Sequence, residues 1–260
     1  MPVEIRELSD IADLQMLGEL FGEVWGRPGI PEMNSNILKA LAHSENYVAG
    51  AFVDGRLIGG LVGWLGGAPD HLHMHSHILG VLPDREAQGV GFDLKQHQRR
   101  WCLDREVRVM EWTTDPLIRR NVYFNVTKLG ARAPEYLVDF YGQMRDAINE
   151  GEETDRLLIR WQLDAPRAGG EPDVDALRAS GAQVVLAPGT SGAPTLARRE
   201  ARVLLCQVPD DVVELRRRDP GTARDWRRAL RAAMKDAMDA GFALSGATKS
   251  GWYVLESSAT

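Results

Sequence analysis

The sequence predicts an α/β protein in which a helix and a β-hairpin lead into alternating strands and helices. Three observations carry that expectation. YVAGAFVDGRLIGGLVGWL, residues 47–65, reads as two apolar strands joined by an Asp54-Gly55 turn. GVLPDREAQGVGFDLK, Gly80 to Lys95, runs from an apolar strand through a glycine-punctuated turn into a helix. Beyond it, strand and helix periodicities alternate as far as residue 163.

Residues 3–7 (VEIRE) alternate as a short first strand, and residues 11–25 set Ile11, Leu14, Leu17, Leu20, Phe21 and Val24 at helical spacing. After the hairpin, residues 72–82 form a further strand. The helix beginning near Gly89 places Val90, Leu94, His97 and Trp101 on one face, a buried stripe. VRVMEWT is a strand, residues 117–129 are a second helix closed by Gly130, and LLIRWQL, 157–163, is a strand again. Residues 164–200 are rich in Pro, Gly and Ala, with only Val184 to Leu186 strand-like. The expected organisation is therefore a domain over 1–163, a linker-like segment over 164–200 and a smaller α+β extension over 201–260, packed on the first. In that extension VLLCQV is a strand, and a helix over roughly 222–240 carries Trp226, Leu230, Met234 and Met238 in register. Gly241 stops it, and FALSGAT and WYVLE pair around Lys249-Ser250-Gly251. The Trp226 stripe reads as core.

Of the 260 residues, 44% are hydrophobic, ample material for a core. A net charge of −6 argues against broad binding to nucleic acid or an anionic membrane surface. Cys102 and Cys206 lie far apart amid apolar residues, as buried thiols of a reducing compartment do. MPVEIRELSD is charged from its start, unlike a signal peptide, and no apolar run approaches a membrane span. A cytoplasmic protein is the expectation.

Two glycines one residue apart at a helix start gather backbone N–H groups at the positive end of the dipole, which suits a phosphate. A tight strand–helix turn needs glycine on conformational grounds alone, so the pair is a weak signal by itself. The order of elements around it, with SHILGVLP, TTDPLIRRNVYFNVTKLGA, YGQM, TDRLLIRWQL and DWRRALR, resembles the GNAT N-acetyltransferase superfamily. The chain is most similar to a bacterial branch of predicted GNAT acetyltransferases with an added C-terminal part. The resemblance implies a mixed, mostly antiparallel central sheet flanked by helices. It implies acetyl-CoA or another acyl-CoA as cosubstrate, with no metal. The turn pattern Q/R-x-x-G-x-G/A falls on Glu86-Ala87-Gln88-Gly89-Val90-Gly91, whose amides would hold the coenzyme A pyrophosphate. Both glycines match and Glu86 departs. A carboxylate there repels a diphosphate unless it turns outward, and Arg85 is a substitute cation. Pantetheine would lie along Leu79 to Val81 like an added strand, where a backbone N–H polarises the thioester carbonyl.

Acyl transfer needs a neutral amine, a polarised thioester and a proton for the departing thiolate. Family members that use a tyrosine acid carry it where Val126 stands here; Tyr123, about one turn away, points elsewhere, leaving Tyr141 or solvent as proton source. HLHMHSHIL places His71, His73, His75 and His77 on one face of a strand. Without a clear Cys or carboxylate partner they are not expected to bind metal, and His77 is the candidate base, with a structural hydrogen bond its alternative role. Asn121 and Asn125 are four apart and share a helical face. Asn121 is a cap or a pantetheine contact, Asn125 a substrate contact. Asp115-Pro116 reads as a helix start. Lys95, Arg99, Arg100, Arg119 and Arg120 form a basic set near the cofactor end, solvated for the most part with one to meet the coenzyme's phosphates, and Arg156 either forms a salt bridge in a turn or holds a substrate carboxylate. The function so read is coenzyme A-dependent N-acyl transfer to a small amine, an amino acid among the candidates. Acetyl is the default donor and a larger acyl such as succinyl the alternative. The rival is a non-catalytic acyl-CoA-binding or scaffold protein, favoured by Glu86 and Val126. No nucleic-acid or membrane partner is expected, and a homodimer is one assembly open to the chain.

Overall fold

Asp54 and Gly55 adopt φ of 50° and 77°, the left-handed pair that closes a two-residue hairpin. They join β2 (Tyr47–Val53) to β3 (Arg56–Gly66), whose apolar residues are largely buried, as the sequence expects. The structure, a computed structural model, describes residues 2–142, 153–166 and 170–257, and the chain divides into two compact units.

The first unit takes residues 2–112 with 162–165. Its sheet runs β1 (Glu4–Glu7), β2, β3, β4 (His73–Val81), β5 (Val109–Thr114). The first three pairings are antiparallel and β4–β5 is parallel. Helix α1 (Ile11–Val24) is capped by Asp10, which accepts the Ala12 N–H at 2.9 Å. Leu14, Leu17 and Phe21 of α1 join Leu38, Val48 and Val62 in the core, whereas Ile11, expected in the same stripe, is 45% exposed. A Cβ on Gly22 would sit 2.1 Å from the carbonyl oxygen of Ile30, so glycine lets the loop after α1 lie directly against the helix. That loop leads to α2 (Ser35–His43), which the sequence analysis did not foresee because Leu38 is its one buried residue. Helix α3 (Val90–Leu103) buries Val90, Leu94 and Trp101; His97 is half-buried and bonds the Tyr47 hydroxyl at 2.8 Å.

The second unit holds residues 113–142, 153–161, 166 and 170–257. In it α4 (Arg119–Tyr123) passes into a wider π turn over Phe124–Lys128, ending at Gly130 with φ 77°. Its strands are β6 (Arg132–Leu137), β7 (Arg156–Gln162), β8 (Gln183–Pro188), β9 (Pro194–Leu196), β10 (Val203–Gln207), β11 (Phe242–Ala247) and β12 (Trp252–Ser257). They are ordered β7-β6-β11-β12-β10-β8-β9, with β10–β8 parallel and the other pairs antiparallel. The stretch read as linker-like carries α5 (Val174–Ala179), β8 and β9. Helix α6 (Val212–Arg218) precedes α7 (Pro220–Asp239), whose Trp226 is core as expected and donates to the Gly192 carbonyl at 3.0 Å. Cys102 and Cys206 are buried free thiols, both pushed up to about 12 with burial the main cause. Among the described residues no helix is long and apolar enough to cross a membrane.

Candidate functional site

Strand β4 alternates cleanly. Met74, Ser76 and Ile78 are buried, and His73, His75 and His77 occupy the opposite face. The strand begins at His73, so His71 falls in the preceding 3₁₀ turn and leaves the stripe expected of it. Across the strand pair, the Trp64 ring of β3 lies against His75 and His77, with centroids 4.8 and 4.6 Å away. His75 Nε2 and His77 Nδ1 are 3.4 Å apart. Burial first, and then the neighbouring His77, His73 and Lys95, hold the His75 ring down at about 4. His77 opens on one side to solvent, yet desolvation on its packed side lowers its pKa too. Both rings are therefore neutral near pH 7. When His77 Nδ1–H donates to His75 Nε2, His77 Nε2 is left as a bare acceptor, the tautomer a base requires. His73 Nε2 lies 3.7 Å from Glu111, and no group of metal-ligating side chains is present among the described residues.

His77 lines an open groove of about 790 Å³ whose walls come from α2, the loop before it and β3. Pro31, Met33, Ile37, Leu41, Trp64 and Leu65 make its apolar surface. The sequence analysis missed this groove, because its wall depends on the loop's close approach to Gly22.

The same strand leads to the glycine turn. Among the described residues β4 pairs with β5 only at Met74 and His75, so Ser76 to Val81 leave that edge unpaired, the place expected for pantetheine along Leu79 and Val81. Pro83–Gln88 form a 3₁₀ turn that ends at Gly89, the N-cap of α3, with φ 82°. No side chain caps this helix, and a Cβ at Gly89 would meet nothing within 4 Å. The open space beside Gly89 thus adjoins the positive end of a 14-residue helix that begins with Val90 and Gly91, a place suited to an anion. These residues fit a diphosphate. Arg85 pairs with Asp84 at 3.4 Å and donates to Gln88 Oε1 at 3.4 Å. The side chains of Glu86 and Ala87 lie outside the described residues.

Behind β4 the structure corrects the basic set. Lys95 is not a surface cation: it is 2% exposed, and its Nζ donates to Ser76 Oγ at 2.7 Å and lies 3.6 Å from the centre of the Trp112 ring. Ser76 Oγ in turn donates to Gln98 Oε1 at 2.7 Å. Burial pulls the Lys95 pKa from 10.5 to about 7. A lone lysine between apolar positions gives no sequence signal of this. Arg99 spends its Nε on the Leu163 carbonyl at 2.7 Å.

The remaining candidates belong to the second unit. Asn121 is exposed while Asn125 is buried, because the chain leaves α-helical pitch after Tyr123 and the four-residue spacing no longer stacks them. The cap of α4 is Ile118 rather than Asn121. Tyr141 is 43% exposed, with its hydroxyl 3.0 Å from Thr113 Oγ1. Val126 is buried. Arg156 is buried 3.9 Å from Asp115. Asp115 accepts the Leu117 N–H at 2.9 Å, the helix-start role expected, but it is also a hub. Arg227 holds it in two hydrogen bonds of 2.7 and 2.8 Å and Arg216 adds one at 2.9 Å, so its carboxyl stays far below the usual range despite burial.

Residues 11–123 match the model of the Acetyltransferase (GNAT) family. A match to that family indicates acyl-CoA-dependent N-acetyl transfer. Among solved structures, yncA of Salmonella typhimurium, assigned as an acetyltransferase and determined with its cofactor acetyl-CoA, is 16% identical. The match covers 67% of this chain and 99% of that one at a TM-score of 0.52. Chaetomium thermophilum Naa20, bound to a bisubstrate analogue, is 17% identical over 61% of this chain and 86% of its own, TM-score 0.50. An aminoglycoside acetyltransferase from an uncultured soil metagenomic sample, bound to sisomicin, is 20% identical over 47% and 84%, TM-score 0.43. At these identities the likeness is one of fold. No curated protein matches the chain.

Proposed function

We propose that this protein transfers an acyl group, acetyl by default, from coenzyme A to the amine of a small molecule, with His77 as general base. One observation carries the reading: a single strand, β4, presents His77 to a groove and then runs into the uncapped start of α3. The α3 amides and Gly89 hold the diphosphate, and the free edge at Leu79 to Val81 takes the pantetheine arm. A β4 backbone N–H stabilises charge on the thioester oxygen. His77 Nε2 takes the proton that the amine loses as its nitrogen bonds to the carbonyl carbon. The C–S bond breaks, and the thiolate takes a proton from solvent. The buried Val126 favours the rival reading of a non-catalytic acyl-CoA binder. Turnover separates the two. Free-thiol release from acetyl-CoA should require an amine, and His77→Ala should lower it about 10²–10⁴-fold with acetyl-CoA affinity retained. Acetyl-CoA binding without turnover would leave the rival standing; no binding would end both.

A further inference from the structure

We infer that the groove beside His77 selects an amine carried on an apolar body, an arylalkyl or alkyl amine, and rejects polyhydroxylated or polycationic amines. The inference rests on the acyltransferase reading of the same site. Of the polar side chains that line the groove, Glu32, Asn34 and Asn46 each have a partner inside the protein. Glu32 forms an ion pair with Arg27. Asn34 Oδ1 accepts the Asn36 N–H at 3.0 Å. Asn46 Oδ1 accepts the Leu65 N–H at 3.0 Å, and its Nδ2 donates to the Ser44 carbonyl at 3.2 Å. Among the described residues lining the groove there is no lysine or arginine, and Glu32, with its charge matched by Arg27, is the one acidic group.

What the groove offers a ligand is therefore chiefly apolar wall, with His77, the Trp64 indole and the Asn34 amide as its polar points. Ile37 stands 55% exposed, an apolar side chain held in water unless a ligand covers it. A sugar or polyamine entering here would exchange its hydration for surfaces with few polar groups to return, which costs affinity at each buried hydroxyl or ammonium left unpaired. An arylalkyl amine loses little. The apolar walls also disfavour its ammonium form, and the neutral amine is the nucleophile the reaction needs. The volume of about 790 Å³ lies within the range of ordinary small-molecule sites.

The test uses the full chain with acetyl-CoA and three acceptors: 2-phenylethylamine, glucosamine and spermidine, plus a tetrapeptide with a free N-terminus. We expect kcat/KM for 2-phenylethylamine to exceed the others at least about tenfold. Ile37→Ser, on the exposed face of α2, should raise its KM about three- to tenfold with little change in kcat. A preference for glucosamine, spermidine or the peptide, or a KM unmoved in Ile37→Ser, would overturn the inference while the acyltransferase reading stands. If acetyl-CoA does not bind, that reading fails, and calorimetry with 2-phenylethylamine alone decides the groove. Binding weakened by Ile37→Ser sustains the inference, and absence of binding refutes it.

Discussion

Replacing Lys95 by methionine should make the protein more stable, by an amount that depends steeply on pH. Lys95 is 2% exposed between Ser76, Met110 and Trp112, and its pKa falls from 10.5 to about 7 through burial, with Cys102 opposing. A base with a depressed folded pKa binds fewer protons folded than unfolded, so its penalty is complete below about pH 7 and fades as pH rises toward 10.5. The interval between those values corresponds to a ceiling of about 5 kcal/mol. Methionine keeps the volume but forfeits the hydrogen bond to Ser76, a loss of about 1 kcal/mol. Lys95→Met should therefore be more stable than wild type by about 4 kcal/mol near pH 6, and by almost nothing near pH 10. Urea denaturation of both proteins, followed by tryptophan fluorescence at pH 6, 8 and 10, measures the difference. Other titrating groups cancel between the two proteins. His75, held at about 4, does not titrate in this window. A difference that is flat with pH would refute the reasoning, because it would mean that Nζ keeps its ordinary pKa.

Gly89→Asp should abolish acetyl-CoA binding by calorimetry while the protein stays folded, since it adds a carboxylate at the α3 cradle; strain at φ 82° should cost about 1–2 kcal/mol of stability. Retained affinity would place the diphosphate elsewhere. Asp115→Asn should cost about 3–5 kcal/mol in denaturant titration, because it removes the carboxylate that Arg227, Arg216 and Arg156 surround. A loss below about 1 kcal/mol would mean that the arginines do not depend on it. The His77 base should work in its neutral form, so kcat/KM, corrected for the fraction of substrate present as neutral amine, should fall as pH drops through a value below 6.5 and hold level above it. A midpoint above 6.5 would assign the base to another group.

How far the sequence reached can be argued residue by residue. Asp54-Gly55 and the Gly89 turn were legible because a φ near +80° or a two-residue hairpin is settled by the residues themselves. Period two along β4 was enough to put His73, His75 and His77 on one face, since alternation is a property of any extended chain. The GNAT resemblance drew on the same local order of strand, glycine turn and helix. The periodic reading did not extend to β6, α2 or α6, which are short and bury few residues, so their signal is weak.

What only the tertiary structure decided is the environment of each charge. His77 is distinguished from His73 by Trp64 on the neighbouring strand and by a groove wall that needs Gly22. Lys95 looks like an exposed cation in sequence and is buried because its face of α3 meets β4. Asn121 and Asn125 part company because the helix widens after Tyr123. Asp115 finds Arg216 and Arg227 about a hundred residues downstream. Backbone conformation is set by forces acting over a few residues. Burial, and the pKa values that follow from it, depend on surfaces that meet only when the chain is folded.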